Sequence, residues 1–230
     1  MPGTLYLVAT PIGNFEDITF RAVSTLREAD IVIYEERREG ERLLRHFGIE
    51  KPAETLNEHN EAAASRNILH HLAAGRNVAL VSDCGTPVFS DPGQILVGKA
   101  IAAGIRVVPV PGASSLMPAL TVSGFPIDTF LFYGWLSPKK DRRRAELRQL
   151  RGERRTFVLM DTPYRLVPLL RDIAEEFGDA RRMCIAFNLT LPDEQILYGT
   201  PASLHAACAA KEMKGEYVIV IEGRMRDRNG

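Results

Sequence analysis

Short apolar bursts alternate with segments of helical period through the first half of the chain, and this alternation limits the fold more than any other feature. The bursts are TLYLVA (4–9), ADIVIY (29–34), NVALVS (77–82) and RVVPV (106–110). Amphipathic stretches lie between and around them, near 18–28, 40–47, 60–74 and 92–103, with Gly75 and Gly104 where a helix would stop. Strands too apolar to carry a wet face, separated by helices, are the pattern of βαβ units and a mostly parallel sheet. Further bursts at 129–135, 155–160, 182–187 and 216–223 carry strands into the second half. Between the halves, PGASSLMPALTVSGFPID (111–128) breaks the rhythm with prolines and glycines. We expect an α/β chain of two α/β domains, residues 1–115 and 116–230.

Ligands of open parallel sheets bind beyond the carboxyl ends of the strands, so the turns there are the places to search. The turns in question are TPIGN (10–14), EERR (35–38), SDCGTPVFSDPG (82–93) and PGASS (111–115). Gly13 and Gly85 would let backbone approach a ligand closely with its amides free to donate. Polar candidates are Glu35, Glu36, Arg37 and Arg38, then Glu58, His59 and Asn60, then Asp83 and Asp91. Asp91 before Pro92 reads as the cap of the next helix, and Asn60 as the cap of an earlier one. Asp83 has no such structural role and is the better functional candidate. Cys84 reads as a small packing residue at a crowded turn.

Several chemistries are excluded. GQILVGK (93–99) has the glycine and lysine spacing of a phosphate loop, but Ala100 stands where a magnesium-holding hydroxyl is required. No GxGxxG follows the first strand, no GxSxG occurs, and no CxxC or HExxH spacing supports a metal. Lys+Arg and Asp+Glu balance at 29 each, so no global field recruits polyanions. Cys84, Cys184 and Cys208 are odd in number and far apart, which with the absence of a leader at Met1 leads us to expect a cytoplasmic protein. The longest apolar stretch, ILVGKAIAAGI, is too short to span a bilayer, so no membrane partner is expected. Residues 139–155 hold nine basic and three acidic residues. They read equally as a solvated helix face, with pairs such as Glu146 and Arg142, or as a phosphate-binding patch.

The opening LYLVATPIGNFEDITFRAVSTLREADIV, with LLRHFGI, EHN, ALVSDCGTPVFSDPG and VVPVPGASSLMPALTVSGFP, resembles the tetrapyrrole methylase superfamily. The resemblance is closest to its branch that methylates a cytidine ribose 2′-hydroxyl in small-subunit ribosomal RNA. The second half departs from that branch. LMDTPYRL (159–166) places Asp161 and Tyr164 where a Glu and a His are typical, and NLTLPDEQ (188–195) is closer in wording to the corrin and sirohaem methylases. EERREGE (35–41) is less basic than the branch's pattern. The resemblance implies two α/β domains with a cofactor cleft between them, S-adenosylmethionine as cofactor, ribosomal RNA or the small ribosomal subunit as partner, and a homodimer. It further implies that Pro11, Cys84, Gly85, Thr86, Phe89, Ser114, Ser115, Met160, Asn188 and Thr190 line the cofactor pocket. A ribose hydroxyl needs a general base, for which Glu35, Glu36, His59 and Asp83 are the candidates. A tetrapyrrole or other small-molecule acceptor, or cofactor binding without catalysis, are the alternatives.

Overall fold

The structure, a computed structural model, describes residues 1–179 and 181–224. The chain divides into two units, Met1–Ser114 and Ser115–Gly230.

In the first unit the apolar bursts become β1 (Thr4–Val8), β2 (Ile31–Tyr34), β3 (Ala53–Thr55), β4 (Val78–Val81) and β5 (Arg106–Val110). They form one sheet in the order β3-β2-β4-β1-β5, parallel throughout. Parallel strands need crossovers, and here these carry α1 (Phe20–Glu28), α2 (Arg37–His46), α3 (Glu61–Ala73) and α4 (Gln94–Ala102). The period-two alternation of strand side chains splits the interior into two cores. Leu5, Ile31, Ile33, Val78 and Leu80 pack with Ile68 and Leu72 of α3 and Leu96 of α4. Val8, Val32, Tyr34, Ala79 and Val81 pack with Leu26 of α1 and Leu43 and Leu44 of α2. Each fully buried Leu or Val contributes roughly 1.5–3 kcal/mol of burial free energy, so both sheet faces must be covered by helices.

This layering places a switch point. The chain leaves β1 and β2 toward helices on one face, whereas it leaves β4, which lies between them, toward α4 on the other. A crevice opens at the carboxyl ends of such strands.

Helix ends explain local detail. Gly75 and Gly104 take φ of +87° and +67° just after α3 and α4, as their positions in the sequence suggest. The start of α4 differs from expectation. Its N-cap is Gly93, at φ 126°, and the Glu61 carboxylate accepts hydrogen bonds from the amides of Gly93 and Ile95 at 2.8 and 3.0 Å. Asp91 is not the cap. Asn60 stands at the N-cap of α3, but its side chain turns back, accepting from the Asn57 amide and donating to the Thr55 carbonyl.

The second unit holds α5 (Leu116–Ser123), β6 (Phe130–Trp135), α6 (Lys140–Leu150), β7 (Thr156–Met160), α7 (Leu166–Phe177), β8 (Met183–Phe187), β9 (Gln195–Gly199), α8 (Pro201–Ala210) and β10 (Tyr217–Ile221). Its sheet runs β6-β7-β10-β8-β9, with β6 and β7 parallel and the other neighbours antiparallel. Every residue of β10 is buried, as its central position requires.

Among the described residues, four of the nine basic side chains of 139–155 pair with carboxylates of this unit. Arg143 on α6 is buried, and its Nε donates to Asp172 Oδ2 on α7 at 2.8 Å. Arg144 pairs with Glu175 and Glu176, Arg148 with Glu176, and Arg155 with Glu153. Glu146 does not pair with Arg142 as its spacing suggests, but accepts from the Ser137 amide at 2.8 Å. Three of the nine basic residues, Arg143, Arg144 and Arg148, thus join α6 to α7.

Candidate active site

Turns that follow neighbouring strands meet at the switch point of the first unit. The Thr10 amide donates to the Gly85 carbonyl at 2.8 Å, and the Gly85 amide returns a bond to the Thr10 carbonyl at 3.2 Å. The buried Thr10 hydroxyl donates to the Ser82 carbonyl at 3.0 Å. On the other side, the Ala9 amide donates to Val110 at 3.1 Å, and the Thr86 hydroxyl donates to the Ala113 carbonyl at 3.4 Å. TPIGN, SDCGTP and PGASS thus form one backbone-rich wall.

Gly85 is required there by its φ of +88°, one that side chains rarely adopt; a Cβ would also press on Ile12 Cγ2 at 3.3 Å. Gly112 allows the third turn its close approach, because a Cβ there would lie 3.0 Å from the Ala9 methyl. Val88 and Ser90 hold φ of 69° and 66°, and a β-branched residue in that region is strained. Such strain persists where the surroundings over-determine it, often at ligand sites. Pro11 and Gly85 are buried, while Cys84, Thr86 and Phe89 are exposed on the same exit. Cys84 is therefore not a packing residue. Ser114 ends the first unit, and Ser115 begins the second at the N-cap of α5.

Carboxylates gather at the exits of β2 and β4. Glu35 follows β2 directly, and Asp83 Oδ1 accepts from the Glu36 amide at 3.1 Å, tying the two exits together. The Ser82 hydroxyl donates to Asp91 Oδ2 at 2.5 Å and accepts from the Cys84 amide at 3.1 Å. Burial, then the negative charges of Asp91, Asp83, Glu36 and Glu58, push the Glu35 carboxyl up to about 7. Burial also raises Asp83, against the Glu36 amide bond, and raises Asp91, against the Ser82 bond. Glu35 can therefore exchange a proton near neutral pH.

Of the four base candidates, the structure brings Glu35 and Asp83 into this group and gives Glu36 a backbone role in it. His59 lies on the turn after β3, with its side chain 86% exposed and Glu58 3.6 Å away. Asp91 does not cap α4, as its place before Pro92 suggests, but binds the first serine of the repeated Ser-Asp.

In the second unit, Met160 ends β7 and is followed by buried Asp161, whose Oδ1 accepts from the Thr162 amide at 2.7 Å. Asn188 and Thr190, just past β8, hold φ of 47° and 67°. The Asn188 amide donates to the Glu216 carbonyl at 2.8 Å, and its side chain donates to Asp193 at 2.7 Å. A Cβ on Gly215 would collide with the Asn188 carboxamide, so that glycine keeps the turn in place. Among the described residues no cluster of His, Cys, Asp and Glu could hold a metal ion. Nor is any described helix long and apolar enough to cross a membrane.

The family model of the tetrapyrrole (corrin/porphyrin) methylases matches residues 4–205. The chain belongs to that family. It is a methyltransferase, and within the family it groups with proteins named ribosomal RNA small subunit methyltransferase I. The one from Xylella fastidiosa strain Temecula1 is 46% identical over 96% of this chain and 82% of its own length. The one from Pseudomonas aeruginosa is 44% identical over 96% of this chain and 79% of its own. Solved structures share the fold at low identity. The methyltransferase CobJ aligns with a TM-score of 0.70 and 18% identity, over 99% of this chain and 97% of its own. The cobalt precorrin-4 methyltransferase CbiF aligns with 0.69 and 17%, over 95% and 94%.

Proposed function

We propose that this methyltransferase transfers the methyl group of S-adenosylmethionine to a ribose 2′-hydroxyl of a cytidine in small-subunit ribosomal RNA. The observation that carries the proposal is the joining of a glycine-lined backbone wall, fixed by the Thr10–Gly85 pair, to the Glu35–Asp83–Asp91 carboxylates at one switch point. The relatives named as ribosomal RNA small subunit methyltransferases support the acceptor, and family membership supports the cofactor in general.

What supports the cofactor is that Gly85 and Gly112 let their turns close against Ile12, Ala113 and Ala9, forming one wall of backbone amides and carbonyls. Pro11, Cys84, Gly85, Thr86, Phe89 and Ser114 are the proposed contacts in the first unit. Ser115, Met160, Asn188 and Thr190 are further proposed contacts, in the second. When bound, S-adenosylmethionine supplies a methyl carbon on a sulfonium, open to in-line displacement. The chain must then hold the acceptor oxygen in line and take its proton.

Glu35 is the proposed base, because its carboxylate can accept that proton near neutral pH without a second catalyst. Asp83 holds the Glu36 amide, and so fixes the turn that carries Glu35. With ribosomal RNA as acceptor, the cytoplasm is the proposed location, and the homodimer remains a proposal open to sedimentation analysis. Labelled cofactor offered small ribosomal subunits, and separately uroporphyrinogen or precorrins, tests the reading. Label in the subunits supports it, and label only in a tetrapyrrole overturns it.

A further inference from the structure

A groove of about 670 Å3 runs along α2 at the β3 edge of the first sheet. Tyr34, at the end of β2, lines it together with Arg37 and Arg45 of α2 and with Glu50, Lys51 and Ala53 of the connection to β3. Three features make this a seat for a linear polyanion.

The first is the arrangement of cations. Arg37, Glu41 and Arg45 recur every four residues, so they share one side of the helix, and the two arginines stand roughly 12 Å apart along its axis. Arg45 and Lys51 have no ion pair among the described residues. Arg37 meets Glu41 at 3.4 Å, with the two side chains 69% and 45% exposed, a pair weak enough to yield to a phosphate.

The second is the sheet edge. Pro52 accepts from Val32 and Leu56 donates to Tyr34, so the intervening Ala53 amide faces away from β2, where it can donate to a ligand. The third is the floor. A Cβ on Gly40 would overlap the Tyr34 ring, so this glycine lets the buried ring sit against the helix. Glu35, the proposed base, follows Tyr34 directly in the chain. The groove is also lined by Leu44 and Ile49, so its charged groups stand beside an apolar wall of α2 and the loop after it.

We propose that this groove holds the ribose-phosphate backbone of the RNA strand flanking the methylated nucleotide, with Arg45 and Lys51 as phosphate contacts and Arg37 as the contact nearest Glu35. The proposal rests on the ribosomal RNA reading above. It also answers the weaker basic character of EERREGE, because cations from both ends of α2 and from the loop beyond it meet in one groove.

The test uses the full chain, a fluorescent single-stranded fragment of small-subunit ribosomal RNA, and the variants R45A/K51A and E50K. R45A/K51A should bind the fragment about tenfold or more weakly at low salt and lower the salt slope of binding by about 1.4, two phosphate contacts at about 0.7 each. Its KM for small subunits should rise with kcat retained, while S-adenosylmethionine binding and thermal melting stay at wild-type values. E50K should tighten binding. If the wild type methylates small subunits and both variants match it in affinity and salt slope, the groove is overturned and the reaction is not. A wild type that neither binds nor methylates this RNA overturns both. Binding of a polyglutamate peptide as tightly as the RNA would assign the groove to acidic protein instead.

Discussion

Thr10 and Gly85 exchange two backbone hydrogen bonds across the ends of β1 and β4, at 2.8 and 3.2 Å, where the two strands part toward opposite faces of the sheet. The bond pair fixes the proposed cofactor wall, and it depends on a residue at φ +88°. Gly85→Ala should therefore lower stability by about 1–2 kcal/mol, the usual strain of a side chain in that region, and weaken S-adenosylmethionine binding. Thermal melting and titration calorimetry check the two effects separately. Unchanged binding would remove Gly85 from the cofactor site.

Glu35 gives a pH signature. With its carboxyl raised to about 7, the fraction ionised, and with it kcat/KM for transfer to RNA, should climb to a plateau above that pH. Glu35→Gln should reduce transfer by roughly 10²–10⁴-fold at pH 8, leaving cofactor binding intact. Stability should move the other way. The folded state holds the Glu35 proton to higher pH than the unfolded chain, so between about 4.5 and 7 stability falls as pH rises. Denaturant titrations at pH 5 and pH 8 should show Glu35→Gln gaining on the wild type at the higher pH, by about 1 kcal/mol once solvent screening is allowed for.

Arg143 and Asp172 carry a second stability prediction. Both are buried, and Arg143→Ala would strand the Asp172 carboxylate, at about 3–5 kcal/mol. Arg143→Met with Asp172→Leu should recover most of that loss, since an apolar pair replaces a desolvated ionic one. Melting of the single and double variants decides. RNA binding should follow folding in this series and show no separate loss from the missing Arg143 charge.

Glu61→Ala removes the acceptor for the Gly93 and Ile95 amides. The start of α4 should loosen by about 1 kcal/mol, with amide hydrogen exchange rising at those two positions.

The parallel sheet was legible because a strand buried on both faces must be apolar throughout, as IVIY and VALV are. The edge strand β3 escaped notice: AET is three half-buried residues, and its pairing with β2 is made by backbone, not by pattern. β9, QILYG, lies at the other sheet's edge, and its partly exposed residues carry no strong apolar run. Glycine-bearing turns were legible because strand exits and left-handed backbone are local properties. Partners chosen by the tertiary fold were not legible. Nothing in the spelling of SDCGTPVFSDPG says that Ser82 binds Asp91, or that Glu61, thirty-odd residues upstream, caps the helix Asp91 was expected to start. Arg143, Arg144 and Arg148 teach the same point, since their carboxylate partners on α7 lie outside residues 139–155.

The most direct measurement is nucleoside analysis of small-subunit ribosomal RNA after incubation with the chain and labelled S-adenosylmethionine. The predicted result is label recovered as 2′-O-methylcytidine, lost with Glu35→Gln and rising in yield as pH passes about 7. Label on a base, or no label in RNA while a tetrapyrrole accepts it, would contradict the proposed reaction.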